Sequence, residues 1–249
     1  MSLLSVQREG SGSVLVWLHG FTQTSASAHQ FRSILAGSHE LLTLDLPGHG
    51  ASSALRATLD ECADLVASAL PDGPLDLGGY SFGARVALHV ALRHPQRIRR
   101  LVLLSATRGI EAEAQRLERR EHDEALAARI ELVGVEVFLD EWLSQPMFAS
   151  LPHDPLERAA RSADARGLAN SLRLAGTGTQ TWLAPHLHAI SARTLALAGA
   201  SDHKFAAEAK AIASGVHRGS FALIESAGHA AHLEQPAASA RVVSAFLSD

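Results

Sequence analysis

The chain has 249 residues, of which 47% are hydrophobic and 19% charged, and its formal net charge is −4 at pH 7. This balance is typical of a single globular domain with ample apolar material for a core, and it excludes intrinsic disorder. The net charge is slightly negative and no block of consecutive Lys and Arg occurs, so the composition excludes nucleic acid as an expected partner.

The compartment is indicated by the cysteine content and by the N-terminus. Cys62 is the single cysteine and lies in an apolar helical pattern, so we expect a small core side chain and no intramolecular disulfide, in agreement with a reducing cytosol. The first ten residues, MSLLSVQREG, lack the charged and apolar regions of a secretory signal. No run approaches the roughly 20 apolar residues of a membrane span. We expect a cytoplasmic protein that contacts no membrane.

Short apolar runs bounded by Gly and Pro alternate with longer segments of helical period, which is typical of a parallel sheet with crossover helices. The runs do not alternate with polar residues, so both faces of each strand are expected to be buried. The predicted strands cover residues 14–18, 41–46, 75–80, 101–106, 194–199 and 221–226. The predicted helices cover residues 59–70, 83–95, 205–215 and 237–247.

One long segment interrupts this alternation. Residues 108–186 contain no strand-like run, and their apolar residues recur at helical spacing. Nine arginines and thirteen acidic residues in the segment predict a solvated face held mostly by pairs four residues apart. We interpret residues 108–186 as a helical lid inserted into an α/β core made of residues 1–107 and 187–249.

A Gly-X-Ser-X-Gly pattern, Gly79 to Gly83, follows a predicted strand and opens a predicted helix. That context is typical of a nucleophile elbow, in which a sharp strand-to-helix turn exposes the central serine. Side chains at Gly79 and Gly83 would obstruct so tight a turn. Ser81 is therefore the candidate nucleophile or base.

A serine hydroxyl is weakly reactive at neutral pH, so it needs an imidazole to accept its proton and a carboxylate to orient that imidazole. Asp202 and His229 each come just after a predicted strand, and open α/β sheets place their sites at those strand ends. His232 is the local alternative to His229. The sequence thus predicts a catalytic triad of Ser81, His229 and Asp202.

Two backbone N–H groups are expected to form an oxyanion hole for developing negative charge. One donor is Phe82, directly after the serine, and the other is Phe21, in the loop after the first predicted strand. His19 and Gly20 are expected to support that loop. The run Asp45 to Gly50 is expected to be a structural turn.

Together these motifs resemble the α/β-hydrolase superfamily and, more narrowly, the 2-succinyl-6-hydroxy-2,4-cyclohexadiene-1-carboxylate synthases of menaquinone biosynthesis. The resemblance covers nearly the whole chain. The wider likeness rests on residues 18–21, 45–50, 79–83 and 227–229. The narrower likeness rests on residues 79–85 (GYSFGAR), 142–151 (WLSQPMFASL), 167–180 (GLANSLRLAGTGTQ) and 228–236 (GHAAHLEQP).

The resemblance implies an α/β-hydrolase fold with a mostly parallel sheet and, despite the fold, a lyase. In the implied reaction Ser81 takes a carbon-bound proton from a small substrate with several carboxylates, and pyruvate leaves without consumption of water. Neither a cofactor nor a metal is implied, and the oligomeric state is left open. The alternative is a serine hydrolase, an esterase or C–C bond hydrolase, with Ser81 as nucleophile. A non-catalytic ligand receptor is a third class, which no feature of the sequence favours.

The resemblance also implies a set of substrate-binding residues, and bidentate arginines suit carboxylates in a closed site. Within the lid the implied arginines are Arg119 and Arg161. Arg116, Arg120 and Arg166 lie close enough to them in the sequence to take their place. One departure concerns the oxyanion loop, where relatives often have Thr-Gly-Ser after Phe21 but this chain has Gln23 at the glycine position. The implied residues are Tyr80, Arg85, Arg119, Trp142, Phe148 and Arg161.

Overall fold

A seven-stranded sheet forms the centre of the protein in the computed structural model, which describes residues 4–248. The strands are β1 Val6–Gly10, β2 Ser13–Leu18, β3 His39–Leu44, β4 Leu75–Tyr80, β5 Ile98–Leu104, β6 Arg193–Gly199 and β7 Gly219–Ile224. Their order in the sheet is β1-β3-β2-β4-β5-β6-β7. The β1 strand runs antiparallel to β3, and the other neighbouring pairs are parallel.

Helices cover both faces of the sheet and form most of the segment between β5 and β6. The helices are α1 His29–Ala36, α2 Leu59–Ala69, α3 Phe82–Arg93, α4 Glu113–Leu143, α5 Pro155–Ala159, α6 Ala165–Ala175, α7 His203–Gly215, α8 Ala231–Glu234 and α9 Pro236–Ser248. Packing on one face of the sheet comes mainly from α2, α3 and α7, and on the other face from α1 and α9. This architecture confirms the predicted α/β fold with a mostly parallel sheet.

Both edges of the sheet differ from the sequence prediction. The β1 strand, with the sequence VQREG, was not predicted, because its polar residues match an exposed edge strand and not a buried one. The six predicted strands correspond to β2 through β7. Burial of both faces was wrong for β7, which lies at the opposite edge and leaves Phe221 41% and Leu223 38% exposed.

The lid has its own small core, made by α4 and α6. Gly134 (φ 78°, ψ 169°) breaks α4, so that the chain after the break turns back on the chain before it. Arg129 therefore pairs with Glu141, twelve residues further on. The expectation that the lid arginines pair mostly with acidic residues four positions away was wrong, because most ion pairs of the described lid join different helical segments. Arg119 with Asp123 is the pair at four-residue spacing.

Several helix starts follow local sequence signals. Thr58 and Glu61 form a capping box at α2, and side chains of Asp154 and Asp164 cap α5 and α6. Within residues 4–248, the helices are all too short or too polar to cross a membrane.

Candidate active site

Ser81 stands at the turn between β4 and α3 with a left-handed φ of 50° and ψ of −104°. Such a backbone costs free energy in a residue with a side chain and persists where the surroundings enforce it. A Cβ on Gly79 would lie 2.5 Å from the Gly83 carbonyl carbon, and one on Gly83 would lie 2.3 Å from the Leu18 carbonyl oxygen. Close backbone packing at both glycines thus holds the serine in this conformation.

Three side chains from separate strand ends meet at this turn. His229 Nε2 lies 3.1 Å from Ser81 Oγ, and its Nδ1 lies 2.8 Å from Asp202 Oδ2. The other Asp202 oxygen accepts the Phe205 N–H at 3.2 Å, which fixes the carboxylate at the start of α7. Although burial alone would raise it, the hydrogen bond and charge of His229 hold the pKa of Asp202 below its usual value. The arrangement can move a proton from Ser81 to His229.

His232, the local alternative, lies behind the site. Its ring packs against Tyr80 with 4.3 Å between centroids, and its Nδ1 has no hydrogen-bond partner among residues 4–248. Burial lowers the pKa of His232 to about 3, so the ring is neutral. His229, and not His232, is the imidazole that reaches Ser81.

Two backbone N–H groups beside Ser81 are free to bind a negative oxygen. Phe82 is the first residue of α3, where an N–H has no partner within the helix. Phe21 follows β2 in the loop of residues 19–28, which we call the oxyanion loop. Over residues 4–248, neither N–H is used in a hydrogen bond to the protein.

Two side chains shape the oxyanion loop from within. His19 Nδ1 donates to the Gly20 carbonyl oxygen at 2.8 Å, while its Nε2 accepts the Leu46 N–H at 3.0 Å. Gln23 Oε1 accepts the Gly20 N–H at 2.8 Å. Gly20, the residue before Phe21, is therefore held through both its N–H and its carbonyl oxygen. The run Asp45 to Gly50 forms a structural turn in which both Asp45 carboxylate oxygens accept backbone N–H groups. It does not line the cavity over Ser81.

A cavity of about 180 Å³ opens over Ser81, between the core and the lid. Its cationic side chains are Arg85, Arg119 and Lys204, with His122 and His229 beside them. No Asp or Glu is among the described residues that line it. The cavity therefore presents a positive surface to whatever reaches Ser81.

Arg85 is the most deeply placed of these cations. It is 8% exposed and donates to the Ala175 carbonyl oxygen at 2.9 Å and to Gln180 Oε1 at 3.5 Å. Among residues 4–248 it has no carboxylate at ion-pair distance. Burial lowers the pKa of Arg85 to about 10, so the guanidinium is still charged at neutral pH. A buried charge without a counter-ion in the protein favours an anionic ligand.

Arg119 lines the cavity from α4 and is oriented by Asp123. Its Nε donates to Asp123 Oδ1 at 2.8 Å, and the other Asp123 oxygen accepts the Gly178 N–H at 3.2 Å. Arg116 and Arg120, its close neighbours in sequence, donate to backbone carbonyl oxygens and do not line the cavity. Of these three arginines, the structure brings Arg119 to the site.

The structure places Arg161 differently from the other implied arginines. It does not line the cavity over Ser81; it lines the neighbouring groove of about 690 Å³ and donates to Thr22 Oγ1 at 2.6 Å. Its closest described contact is therefore the oxyanion loop. Arg166, the remaining alternative, is exposed on α6 and does not line the cavity either.

Aromatic rings form much of the remaining wall. Tyr80, Trp142 and Phe148 all line the cavity, as the resemblance implied. The Phe148 ring lies 6.0 Å from the His229 ring and 5.9 Å from the Trp142 ring, measured between centroids. Burial raises the pKa of the Tyr80 hydroxyl, which is therefore a neutral group in this wall.

Sequence reasoning missed two residues of the site. Lys204, two residues after Asp202 at the start of α7, lines the cavity, and its amino group also lowers the pKa of Asp202. Its position so soon after Asp202 could have indicated it. Gln180 donates to the Thr107 carbonyl oxygen at 3.0 Å and accepts from Arg85, contacts that only the tertiary fold reveals.

Comparison with known proteins gives a consistent result. Residues 15–242 match the model of the alpha/beta hydrolase family. The 2-succinyl-6-hydroxy-2,4-cyclohexadiene-1-carboxylate synthase of Photorhabdus laumondii is 33% identical, with 94% of this chain and 85% of that protein covered. The synthase of the same name from Serratia proteamaculans is 31% identical, with 97% and 95% covered.

Solved structures agree with these sequence matches. The structure of MenH from S. aureus superposes with a TM-score of 0.89 at 32% identity and covers 100% of this chain and 98% of its own. A thermophilic esterase from Thermogutta terrifontis superposes with a TM-score of 0.84 at 24% identity, covering 98% and 93%, which shows the fold alone.

Proposed function

Because this chain belongs to the alpha/beta hydrolase family and, within it, to the group of the 2-succinyl-6-hydroxy-2,4-cyclohexadiene-1-carboxylate synthases, we propose that it is a lyase of menaquinone biosynthesis. Its substrate is 2-succinyl-5-enolpyruvyl-6-hydroxy-3-cyclohexene-1-carboxylate. The reaction eliminates pyruvate and leaves a ring with two double bonds.

The observation that carries this proposal is Arg85, a buried guanidinium that faces the cavity over Ser81 and has no carboxylate partner among the described residues. The proposed substrate carries a ring carboxylate, a succinyl carboxylate and an enolpyruvyl carboxylate. Arg119 and Lys204 add two more cations on the same cavity, whose described lining has no Asp or Glu. Three negative groups therefore meet three positive ones in a site that excludes much of the solvent.

The proposed proton transfer starts at the triad. His229 Nε2, 3.1 Å from Ser81 Oγ, accepts the serine proton, and Asp202 stabilises the imidazolium that forms. Ser81 then takes the ring proton next to the succinyl ketone, and the released electron pair becomes an enolate. The Phe21 and Phe82 N–H groups bind the enolate oxygen.

Collapse of the enolate completes the elimination. The electron pair moves through the ring double bond and breaks the bond between the ring and the enolpyruvyl oxygen. Pyruvate leaves as its enolate and takes up a proton, and the proton held by Ser81 and His229 returns to solvent. No water molecule is consumed. Arg161 is proposed to contribute to substrate binding through the oxyanion loop, where its guanidinium lies.

The test supplies the enolpyruvyl substrate in ¹⁸O-labelled water and follows pyruvate together with the ring product by mass. Release of pyruvate with a ring product that has lost the elements of pyruvic acid and gained no solvent oxygen supports the lyase. A ring product with a second hydroxyl at the carbon that carried the enolpyruvyl group, or a released succinate carrying solvent oxygen, indicates hydrolysis by the same triad. Absence of pyruvate release would overturn the proposal. Ser81→Ala serves as the inactive control.

A further inference from the structure

One segment of the lid is bonded to the oxyanion loop along its length. This segment, residues 157–162, follows the start of α5 and lies against residues 22–28 of the loop. The Ser162 N–H donates to the Thr22 carbonyl oxygen at 2.8 Å, and Arg161 donates to the Thr22 hydroxyl at 2.6 Å. The Ala160 carbonyl oxygen accepts from Thr24 Oγ1 at 2.6 Å. The lid thus touches the loop directly beside Phe21.

Gln23 is the residue that joins this contact to the backbone around the proposed oxyanion donor. Its Oε1 accepts the Gly20 N–H at 2.8 Å, and its own N–H donates to the Gly20 carbonyl oxygen at 3.1 Å. Its Nε2 donates to Glu157 Oε1 in the lid at 3.2 Å. The side chain is 1% exposed, so these bonds have little competition from water.

Glu157 completes the connection from the lid side. It is 6% exposed, and its second oxygen accepts the Ala28 N–H at 2.6 Å, at the far end of the loop. Burial raises the pKa of this carboxyl, and the bonds from Ala28 and Gln23 and the nearby charge of Arg161 act against that rise. One carboxylate therefore holds the loop at Gln23, two residues after Phe21, and at its far end, Ala28.

The loop needs such support because its backbone is strained. Thr22 and Ala28 both have left-handed φ, 68° and 60°, although neither is glycine. Each such residue costs free energy and persists only where neighbouring contacts enforce it. The contacts at Thr22 and Ala28 come from the lid segment. Without these contacts the loop would relax, and the Phe21 N–H would no longer be held in position beside Ser81.

We propose that Gln23 and Glu157 form a latch through which the docked lid segment positions the Phe21 N–H of the oxyanion hole. In this role Gln23 is a positioning residue, since it acts through the backbone and does not reach the cavity over Ser81. The latch makes the oxyanion hole complete only when the lid is docked. The inference rests on the proposed function for its reaction but not for its geometry.

The test exchanges the two latch residues. Gln23→Glu places two carboxylates together, and Glu157→Gln leaves one acceptor oxygen for two donors. In the double variant the new carboxylate at position 23 accepts from Gly20 and from the new amide at position 157, whose oxygen accepts from Ala28. The double variant thereby restores the network at unchanged net charge. The hydrogen bond between positions 23 and 157 runs in the opposite direction, with the donor now at position 157.

Each variant is assayed for kcat and KM of pyruvate release and for its Kd for phenylboronic acid, which bonds to Ser81 Oγ and places an oxygen in the oxyanion hole. We expect Gln23→Glu to lower kcat about tenfold to a hundredfold, with KM nearly unchanged, and to weaken boronate binding by a similar factor. The double variant should recover kcat to within about threefold of the parent. Glu121→Gln, on an exposed lid residue outside the docked segment, is the matched control and should change neither value.

Equal kcat and equal boronate affinity in Gln23→Glu and the parent protein would overturn the latch, and so would a double variant as poor as Gln23→Glu. If Gln23→Glu does not fold, Gln23→Ala replaces it, with the same expected split between kcat and KM. If the parent protein releases no pyruvate, the proposed function fails while the boronate affinities still decide the latch.

Discussion

The guanidinium of Arg85, on the core helix α3, donates a 2.9 Å hydrogen bond to the carbonyl oxygen of Ala175, at the end of the lid helix α6. The charge is thus held at the boundary between core and lid, on the wall of the cavity over Ser81. A charge at this position can contact both the lid and an anionic ligand bound over Ser81.

Replacing Arg85 should discriminate between charged and neutral substrates. We expect Arg85→Met to lower kcat/KM for the enolpyruvyl substrate by about a hundredfold or more, because a buried charged hydrogen bond to a carboxylate is lost. The loss with a neutral nitrophenyl ester should be far smaller. Arg166→Ala, on an exposed arginine of α6, is the control. Equal losses with both substrates would mean that Arg85 is structural.

The proposed triad should act as one unit. We expect Ser81→Ala and His229→Ala each to reduce kcat for pyruvate release by about a thousandfold or more, and the double variant to be hardly worse than either. The reason is that His229 has no proton to accept once Ser81 Oγ is absent. Steady-state rates of the three variants measure this. Additive losses would show that the two residues act separately.

Asp123 should affect substrate binding through Arg119. With Asp123→Asn, Arg119 loses its charged partner and its fixed orientation, and we expect KM to rise about threefold to tenfold with kcat nearly unchanged. Glu121→Gln, two residues away and exposed, is the control. A fall in kcat with constant KM would argue against a role for Arg119 in binding.

Stability should fall on mild acidification because three buried histidines resist protonation. Burial lowers the pKa of His19 to about 4 and the pKa values of His49 and His232 to about 3. An unfolded histidine binds a proton below about pH 6.5, so the free energy of unfolding should decrease from there down to the folded values, by up to about 1.4 kcal/mol per pH unit for each histidine.

Urea unfolding at about pH 7 and about pH 5 measures this dependence. His232→Phe should reduce the difference, since its ring packs between aromatic neighbours and its Nδ1 has no described partner. His153→Ala, in an exposed loop, should leave the difference unchanged. An unchanged pH dependence in His232→Phe would mean that this ring is protonated normally in the folded state.

Gly134 should be required for the turn within the lid. A Cβ at this position would meet nothing within 4 Å, so Gly134→Ala introduces backbone strain alone, about 1 to 3 kcal/mol in the free energy of unfolding. Gly73→Ala is the matched control, with a φ of 89° and equally open space in the loop before β4. Both variants should lose stability, but only Gly134→Ala should also lower kcat. Loss of activity in both would contradict a specific role for the lid turn.

The sequence predicted the parts of the protein that depend on local order. Ser81, Asp202 and His229 each follow a strand, and parallel strands bring such positions to one edge of the sheet. The six predicted strands, β2 to β7, were visible as apolar runs bounded by Gly and Pro. Their number and order in the chain sufficed to predict the fold, whereas the polar edge strand Val6–Gly10 had no apolar signal.

The parts that were missed depend on contacts between distant residues. Gln23 was noted as a departure from the implied family pattern, but its partner Glu157 lies 134 residues away, and nothing local indicates the pairing. Arg119 and Arg161 were chosen by resemblance, and the fold separates them, with Arg119 on the cavity and Arg161 on the oxyanion loop. The break of α4 at Gly134 was also missed, and it lets Arg129 pair with Glu141 and not with a residue four positions away.

The cluster of cations around Ser81 has a practical consequence for work with this protein. A pocket lined by three cations and, among the described residues, by no Asp or Glu attracts phosphate, citrate and other small polyvalent anions, and their binding would compete with that of an anionic substrate. We expect rates measured in such buffers to be lower than in an uncharged or monovalent medium, with the difference in KM and not in kcat. The difference in KM between such buffers therefore measures how strongly the site binds anions.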